Sequence, residues 1–271
     1  MSSPYIQLFR SELKLDILSS LLGGEKRLSA LRDELGSSGS TIIHALNDLE
    51  TMRLTQRAGK RYRLTSLGII QAQLVEEVSS TVEVLEMFSD FMLGHDVTAI
   101  PSHLLRGMGA LRDSTLIQND ATELDRVHLN FKQLLLTSRR VRGVSPIFHP
   151  DFVGTFQLLL GEGATVDLIL SRGVLDKTLT LADRGQMLDY VESGKLRMFL
   201  VDEPRVALTV TENSFSMGFF SWDGGYDYSR DLVSSSRSAI EWGEELFRHF
   251  LKDAVCLGQE DFEPRSAVSQ A

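Results

Sequence analysis

Apolar residues Ile6, Phe9, Leu13, Ile17, Leu18 and Leu21 recur at helical spacing and predict an amphipathic helix, stopped by Gly23 and Gly24. Leu28, Leu31 and Leu35 mark a second, shorter helix that ends at Gly36. After the Ser37–Ser40 connection, whose hydroxyls suit a helix cap, Ile42, Ile43, Leu46, Leu49 and Met52 lay out the inward side of a third helix. The pattern then turns extended. Leu54 and Thr55 open a strand, Ala58-Gly59-Lys60 supplies a turn, and Tyr62, Leu64 and Thr65 suit a return strand. Five cations (Arg53, Arg57, Lys60, Arg61, Arg63) and no acid fall within residues 53–63.

Helix, helix, tight turn, helix and basic hairpin is the order of a winged helix-turn-helix. The segment resembles that superfamily in the manner of its MarR and ArsR types, including the run from Ser40 to Glu50. The resemblance implies double-stranded DNA as partner, with the third helix in the major groove. Taking away the inward positions leaves Ser38, Ser40, Thr41, His44 and Asp48 outward. The hydroxyls and His44 suit phosphate or base edges. Asp48 suits a solvated face, because phosphates repel an unpaired carboxylate. Arg57, Lys60 and Arg61 on the hairpin fit phosphate or minor-groove contacts, which supply affinity more than sequence choice.

Residues 67–93 hold no proline and no glycine after Gly68. Leu74, Val78, Thr81, Leu85, Phe88 and Met92 follow alternating steps of four and three, a heptad-like seam with Glu76, Glu77, Glu83 and Glu86 off it. Such a helix either packs on its own neighbouring domain or pairs with a second copy of the chain.

From about residue 95, short apolar runs alternate with helical patterns, as in an α/β sandwich. Strands are predicted at 114–118, 141–147, 166–170, 196–201, 207–211 and 215–221, and helices at 121–137, 150–161, 183–193 and 235–254. The last three strands follow one another closely, which predicts an antiparallel end to the sheet. The expected class is α+β: a winged helix-turn-helix over 1–66, a connecting or dimerisation helix over 67–94, an α/β sensing domain with a mixed sheet over 95–257, and an aperiodic mobile tail over 258–271.

Val144-Ser145-Pro146-Ile147-Phe148-His149-Pro150-Asp151-Phe152, the run from Phe215 to Asp227, the helix Ala239–Phe247 and the strand Leu208–Thr211 resemble the archaeal methanogenesis and filament regulators. In that family a winged helix precedes a Fil-type sensor domain. The resemblance covers about residues 1–255 and implies an archaeal transcriptional regulator whose C-terminal domain senses an effector. Physically, Ser145 and His149 sit just past the end of a buried strand, where open α/β sheets bind ligands. Pro150 would begin the next helix, whose N–H groups could hold an anion. The other reading of His149 is a plain helix cap. Trp222, Asp223 and Tyr226 flank a glycine turn and are secondary candidates for a small polar pocket, whereas Trp242 suits the core.

Composition narrows the classes. The net charge of −9 hides a split: residues 1–70 carry 10 Lys/Arg against 7 Asp/Glu, and residues 71–271 carry 18 against 30. Local positive charge is what a phosphate surface needs. The lone Cys256 excludes a disulfide framework or a Cys-rich zinc module and reads as an inert thiol. No apolar run is long enough to cross a bilayer and no secretion signal stands at the start, so a cytosolic chain without a membrane partner is expected. The six histidines (44, 95, 103, 128, 149, 249) show no metal-ligand spacing, and no dinucleotide loop, phosphate loop or nucleophile elbow occurs. These patterns give no catalytic residue, no metal site and no cofactor. They leave a ligand-responsive, homodimeric DNA-binding regulator, against a protein-interaction module with an acidic scaffold or an enzyme with a site scattered over 95–255.

Overall fold

The structure is a computed structural model that describes residues 4–262. The chain divides into two compact units, the first up to Val82 and the second from Glu83.

The first unit contains α1 (Pro4–Gln7), α2 (Glu12–Leu22), β1 (Lys26–Arg27), α3 (Leu28–Leu35), α4 (Gly39–Thr51), β2 (Thr55–Ala58), β3 (Arg61–Leu64) and most of α5 (Ser66–Met87). Ile17, Leu18, Leu21, Leu31, Ile42, Leu46, Leu49, Leu54, Ala72 and Val75 form its core. The apolar stripes of the helices thus meet as their spacing demands. Gly36 ends α3 in the left-handed region (φ 62), which costs glycine no Cβ clash. β2 and β3 pair antiparallel, with Ala58 opposite Arg61, so Gly59 and Lys60 alone make the turn. β1 adds to β3, giving the sheet order β1-β3-β2.

The 67–93 helix of the sequence reading is divided. α5 stops at Met87, Phe88 turns into the core, and α6 (Ser89–Leu93) follows. The heptad-like seam divides with it: Leu74, Val78 and Leu85 are exposed, whereas Phe88 is buried.

The rest of the second unit comprises α7 (Ser102–Arg106), β4 (Thr115–Gln118), α8 (Arg126–Leu136), β5 (Arg140–Ser145), α9 (Pro150–Gly161), β6 (Thr165–Leu170), α10 (Arg172–Leu181), α11 (Arg184–Glu192), β7 (Leu196–Leu200), β8 (Val206–Thr211), β9 (Phe215–Phe219), β10 (Arg230–Ser234), α12 (Arg237–Asp253) and β11 (Val255–Cys256). Among the described residues they build one eight-stranded mixed sheet, ordered β11-β7-β6-β5-β8-β9-β10-β4. β5, β6 and β7 are parallel, joined through helices, while β8, β9, β10 and β4 run antiparallel beside β5. The sheet thus has the expected antiparallel end, but it is built from β8, β9, β10 and β4, and β7 is not next to β8. The segment 201–205 carries the chain past β6 and β5 to the far edge of β5.

The two faces of this sheet carry different residues. One face supplies Val144, Ile169, Val206, Leu208, Val210, Phe215, Met217, Phe219 and Leu232 to a core shared with Phe91, Leu104, Leu111, Trp242, Leu246 and Phe247. The other face supplies Val141, Val166, Leu168, Leu170, Leu196 and Met198 to a core with Leu135, Leu159, Leu160, Leu175 and Met187 from α8 to α11. Helices cover both faces, as an extended sheet with buried central strands requires.

Two expectations change here, and two elements are added. The 121–137 helix begins only at Arg126, because the Asp120 carboxylate takes the N–H groups of Thr122 and Glu123 into a turn of its own. Leu257 and Phe262 are buried, and Gly258 N–H binds the Asp261 carboxylate at 2.9 Å, so residues 258–262 are fixed where a mobile tail was expected. Residues 263–271 of that tail lie outside the described residues. α10 and β10 had no counterpart in the sequence reading.

Gly68 stands where α5 leaves the hairpin, and a Cβ there would lie 1.8 Å from the Leu54 carbonyl oxygen. Backbone cannot yield as a side chain can, so Gly68→Ala should destabilise the first unit by about 2–4 kcal/mol in denaturant unfolding. Gly154, within α9, meets nothing within 4 Å of such a Cβ. Gly154→Ala should raise stability by about 0.5–1 kcal/mol, as the ordinary helix preference dictates.

Candidate functional site

In the first unit, α4 and the β2–β3 hairpin present the candidate nucleic-acid surface. Ser38 caps α4: its Oγ accepts the Thr41 N–H at 3.2 Å and lies 2.9 Å and 2.7 Å from the hydroxyls of Ser40 and Thr41. The three hydroxyls form one cluster at the helix start, where the free N–H groups and the helix dipole favour an anion. Ser40, Thr41, His44 and Asn47 are exposed, and the core residues Ile42, Ala45, Leu46 and Leu49 lie opposite. Ile43, assigned inward from sequence, is 39% exposed and belongs with the outer face. Asn47 was missed because an amide gives no periodic signal, yet it stands one turn beyond His44. Asp48 is tied to Lys14 of α2 at 2.7 Å, in keeping with a helix-to-helix contact.

Arg57, Lys60, Arg61 and Arg63 are all exposed on the hairpin. Arg57 lies over the Tyr62 ring at 5.8 Å and donates to the Gly59 carbonyl at 3.1 Å, which holds its stem along the turn. Arg61 is 3.4 Å from Glu25, so part of its charge is met locally. Arg53, just past the Met52 cap of α4, has φ 61, a left-handed conformation unusual for a residue with a Cβ.

The second unit contains a cavity of about 610 Å³ between the sheet and α8 to α11. That lies within the roughly 300–1,000 Å³ typical of small-molecule sites. Its walls are largely apolar, with Phe131, Phe148, Phe152, Phe156, Leu168 and Met198 among them. Its polar floor comes from the antiparallel strands: Thr209 of β8, Ser216 and Gly218 of β9, and Asp231 of β10. Along these strands the large residues alternate to the opposite core, and the small or polar ones face the cavity.

Asp231 is buried, and its carboxylate accepts the Ser216 hydroxyl at 2.6 Å. Burial pushes its pKa up to about 6, against the opposing help of that hydrogen bond. The Tyr226 phenol also lines the cavity, and its pKa is raised, first by burial and then by the negative charges of Asp231 and Asp227. A Cβ on Gly218 would come 2.3 Å from the Tyr226 oxygen, so glycine makes room for the ring.

Ser145, His149 and Tyr226, expected as effector contacts, all line this cavity. Ser145 donates to the Ile147 carbonyl at 2.9 Å, and His149 Nδ1 accepts the Asp151 N–H at 3.3 Å as the cap of α9. Trp222 and Asp223 are not among the lining residues. Trp222 is 65% exposed and donates to the Leu93 carbonyl at 3.2 Å, while Asp223 accepts from Ser221 and from the Gly225 N–H within its own turn. Those two shape a loop. The neighbouring Asp227 anchors it, 3.0 Å from the buried His95 and 2.7 Å from Arg230.

His128 was not singled out from sequence. It stands on α8 at the rim of the cavity, its Nε2 3.3 Å from the Asp151 carboxylate and its ring 4.3 Å from that of His149. Hydrogen bonding to His128, aided by Lys132 and the imidazoles, holds the Asp151 carboxyl below its ordinary range.

Two family models match. The model described as the N-terminal domain of the methanogenesis regulatory protein FilR1 matches residues 6–83, and that described as its middle domain matches residues 124–253. The methanogenesis regulatory protein FilR1 of Methanothrix harundinacea (strain 6Ac) is 31% identical over 259 residues, covering 93% of this chain and 57% of that protein. The chain thus spans little more than half the length of this curated relative. Among solved structures, TrmBL2, an archaeal chromatin protein, aligns over 92% of this chain and 97% of its own at 12% identity and a TM-score of 0.43. The phospholipase D family member Nuc of Salmonella typhimurium aligns over 53% and 98% at 10% identity and a TM-score of 0.39. At these scores the two likenesses say nothing about function.

The buried Asp231 makes a pH-dependent prediction. A carboxyl whose folded-state value lies near 6, above its ordinary 3.8, costs stability once ionised, and the cost fades as acid returns the proton. Asp231→Asn keeps an oxygen for Ser216 and removes the charge. It should stabilise the chain by about 2–3 kcal/mol near neutral pH, with the advantage gone below about pH 4 in unfolding measured across pH.

Proposed function

The chain belongs to the FilR1 family of methanogenesis regulatory proteins, and from that premise we propose that it is a homodimeric transcriptional regulator that binds double-stranded DNA and responds to a small molecule held in the cavity of its second unit. The observation that carries the DNA reading is the exposed polar face of α4 beside a hairpin whose four exposed cations stand without an acid on either strand. Ser40, Thr41, His44 and Asn47 would meet base edges, with the Ser38 cluster at a phosphate. Arg57, Lys60 and Arg61 would neutralise backbone charge.

The cavity supports the sensing reading by its size and its division of labour. An effector with a mostly apolar body would fill the phenylalanine-lined part. A neutral hydrogen-bonding group would meet Asp231, Ser216 and Tyr226. Ser145 and His149 would lie at its other end. In this reading the cavity binds and no catalytic step is assigned to it.

The dimer reading rests on α5. Leu67, Ile70, Leu74, Val78, Val82 and Leu85 are each more than 40% exposed and follow helical spacing along one side. Such a stripe is costly in water and is covered when two copies pair. A two-fold pair would suit an inverted repeat with half-sites about one DNA turn (~34 Å) apart.

Fragments of source DNA bound by the purified protein at about 150 mM salt should share an inverted repeat. Random fragments, or none, would put the protein-interaction reading ahead. On the selected site, Lys60→Ala with Arg61→Ala should weaken binding for all sequences and flatten the salt dependence by about two in slope. Leu74→Glu with Val78→Glu should give a monomer in sedimentation and lose the paired-site affinity.

A further inference from the structure

We propose that His128, His149 and Asp151 form a site for a divalent first-row transition metal ion of borderline softness, such as zinc, at the rim of the cavity. One ligand atom from each residue falls within 4.8 Å of the others. An ion bonded at about 2.1 Å holds tetrahedral ligands about 3.4 Å apart, so small side-chain rotations close the set. Two imidazoles and one carboxylate are the donors such ions prefer, and they are a poor set for magnesium or calcium.

The elements hold these groups in place. His149 caps α9 and Asp151 lies in its first turn, so Pro150 fixes the spacing between them. His128 comes from α8, and its ring stacks on Phe152 at 5.7 Å with 19° between the planes. Phe152 also meets the His149 ring at 5.4 Å. Ligation asks His149 to give up no more than its 3.3 Å cap bond, which is long. All three residues line the cavity, so coordination positions left by the protein open onto it. The pattern is that of a site with three protein ligands and room for a ligand of another kind. It stands whether or not the first unit binds DNA.

Lys132 is the built-in competitor, its Nζ 3.9 Å from the same Asp151 carboxylate. Metal binding has to displace this ammonium from the carboxylate.

The test uses the full chain, stripped of metal and titrated with Co²⁺ followed by visible absorption, then with Zn²⁺ in competition. One Co²⁺ per chain should bind with the d–d bands of nitrogen and oxygen ligation, and Zn²⁺ should displace it. His128→Ala and His149→Ala should each weaken binding by more than about tenfold. Lys132→Met removes a like charge and should tighten binding several-fold, a gain that a misfolded variant cannot mimic. Absent bands, binding that survives both histidine substitutions, or a Lys132→Met variant that binds no more tightly would overturn the site.

Discussion

The strands β5 and β6 carry apolar residues on both faces, and the way this chain covers both sides governs the second unit. α12 and the helices near it lie on the face that Phe215, Met217 and Phe219 present. On the other face, α8 to α11 belong to the parallel strands and pack on Val166, Leu168 and Met198. Over β8, β9 and β10 the same face carries Thr209, Ser216, Gly218 and Asp231. A core of large side chains does not form there, because the chain supplies none. The space that remains is the cavity, and its polarity follows from which residues alternate away from the opposite core.

That asymmetry explains the titration of Asp231. A buried carboxylate on the floor of a mostly apolar cavity loses its water and gains one hydroxyl in return. The cost is tolerated because the strand around it is fixed by neighbours on both sides, β9 and β4. Features of this sort are where a protein departs from the local rules of stability, and they tend to mark sites that do something.

The first unit was largely legible because its signals are local. Glycines at 24, 36 and 59 sit at positive φ where stops and a turn were expected, and helix periods point into one core. The second unit was less so. β8 and β9 were found, but their alternating small residues read as strand texture and not as a cavity floor. β10 has only Leu232 and Val233 as apolar markers and went unseen, taking Asp231 with it. His128 and His149 lie 21 positions apart, and only the packing of α8 on α9 brings their rings together. Trp222 and Asp223 drew notice for their chemistry, yet the loop turns them outward. Residue type is written in the sequence, but convergence between distant elements is a product of topology.

The junction at Thr65 and Gly68 has a mechanical meaning. Thr65 N–H binds the Leu54 carbonyl at 2.9 Å, its hydroxyl binds the Arg53 carbonyl at 2.6 Å, and the Gly68 N–H returns to that hydroxyl at 3.1 Å. Arg53 and Leu54 form the connection between α4 and β2. The start of α5 is thus fastened to the segment that leaves α4, with the missing Cβ of Gly68 letting the two backbones touch. Such a joint is short and closely packed. A twist applied along α5 therefore bears first on the connection that follows α4, as a keyed shaft bears on its collar, with no flexible linker between the two.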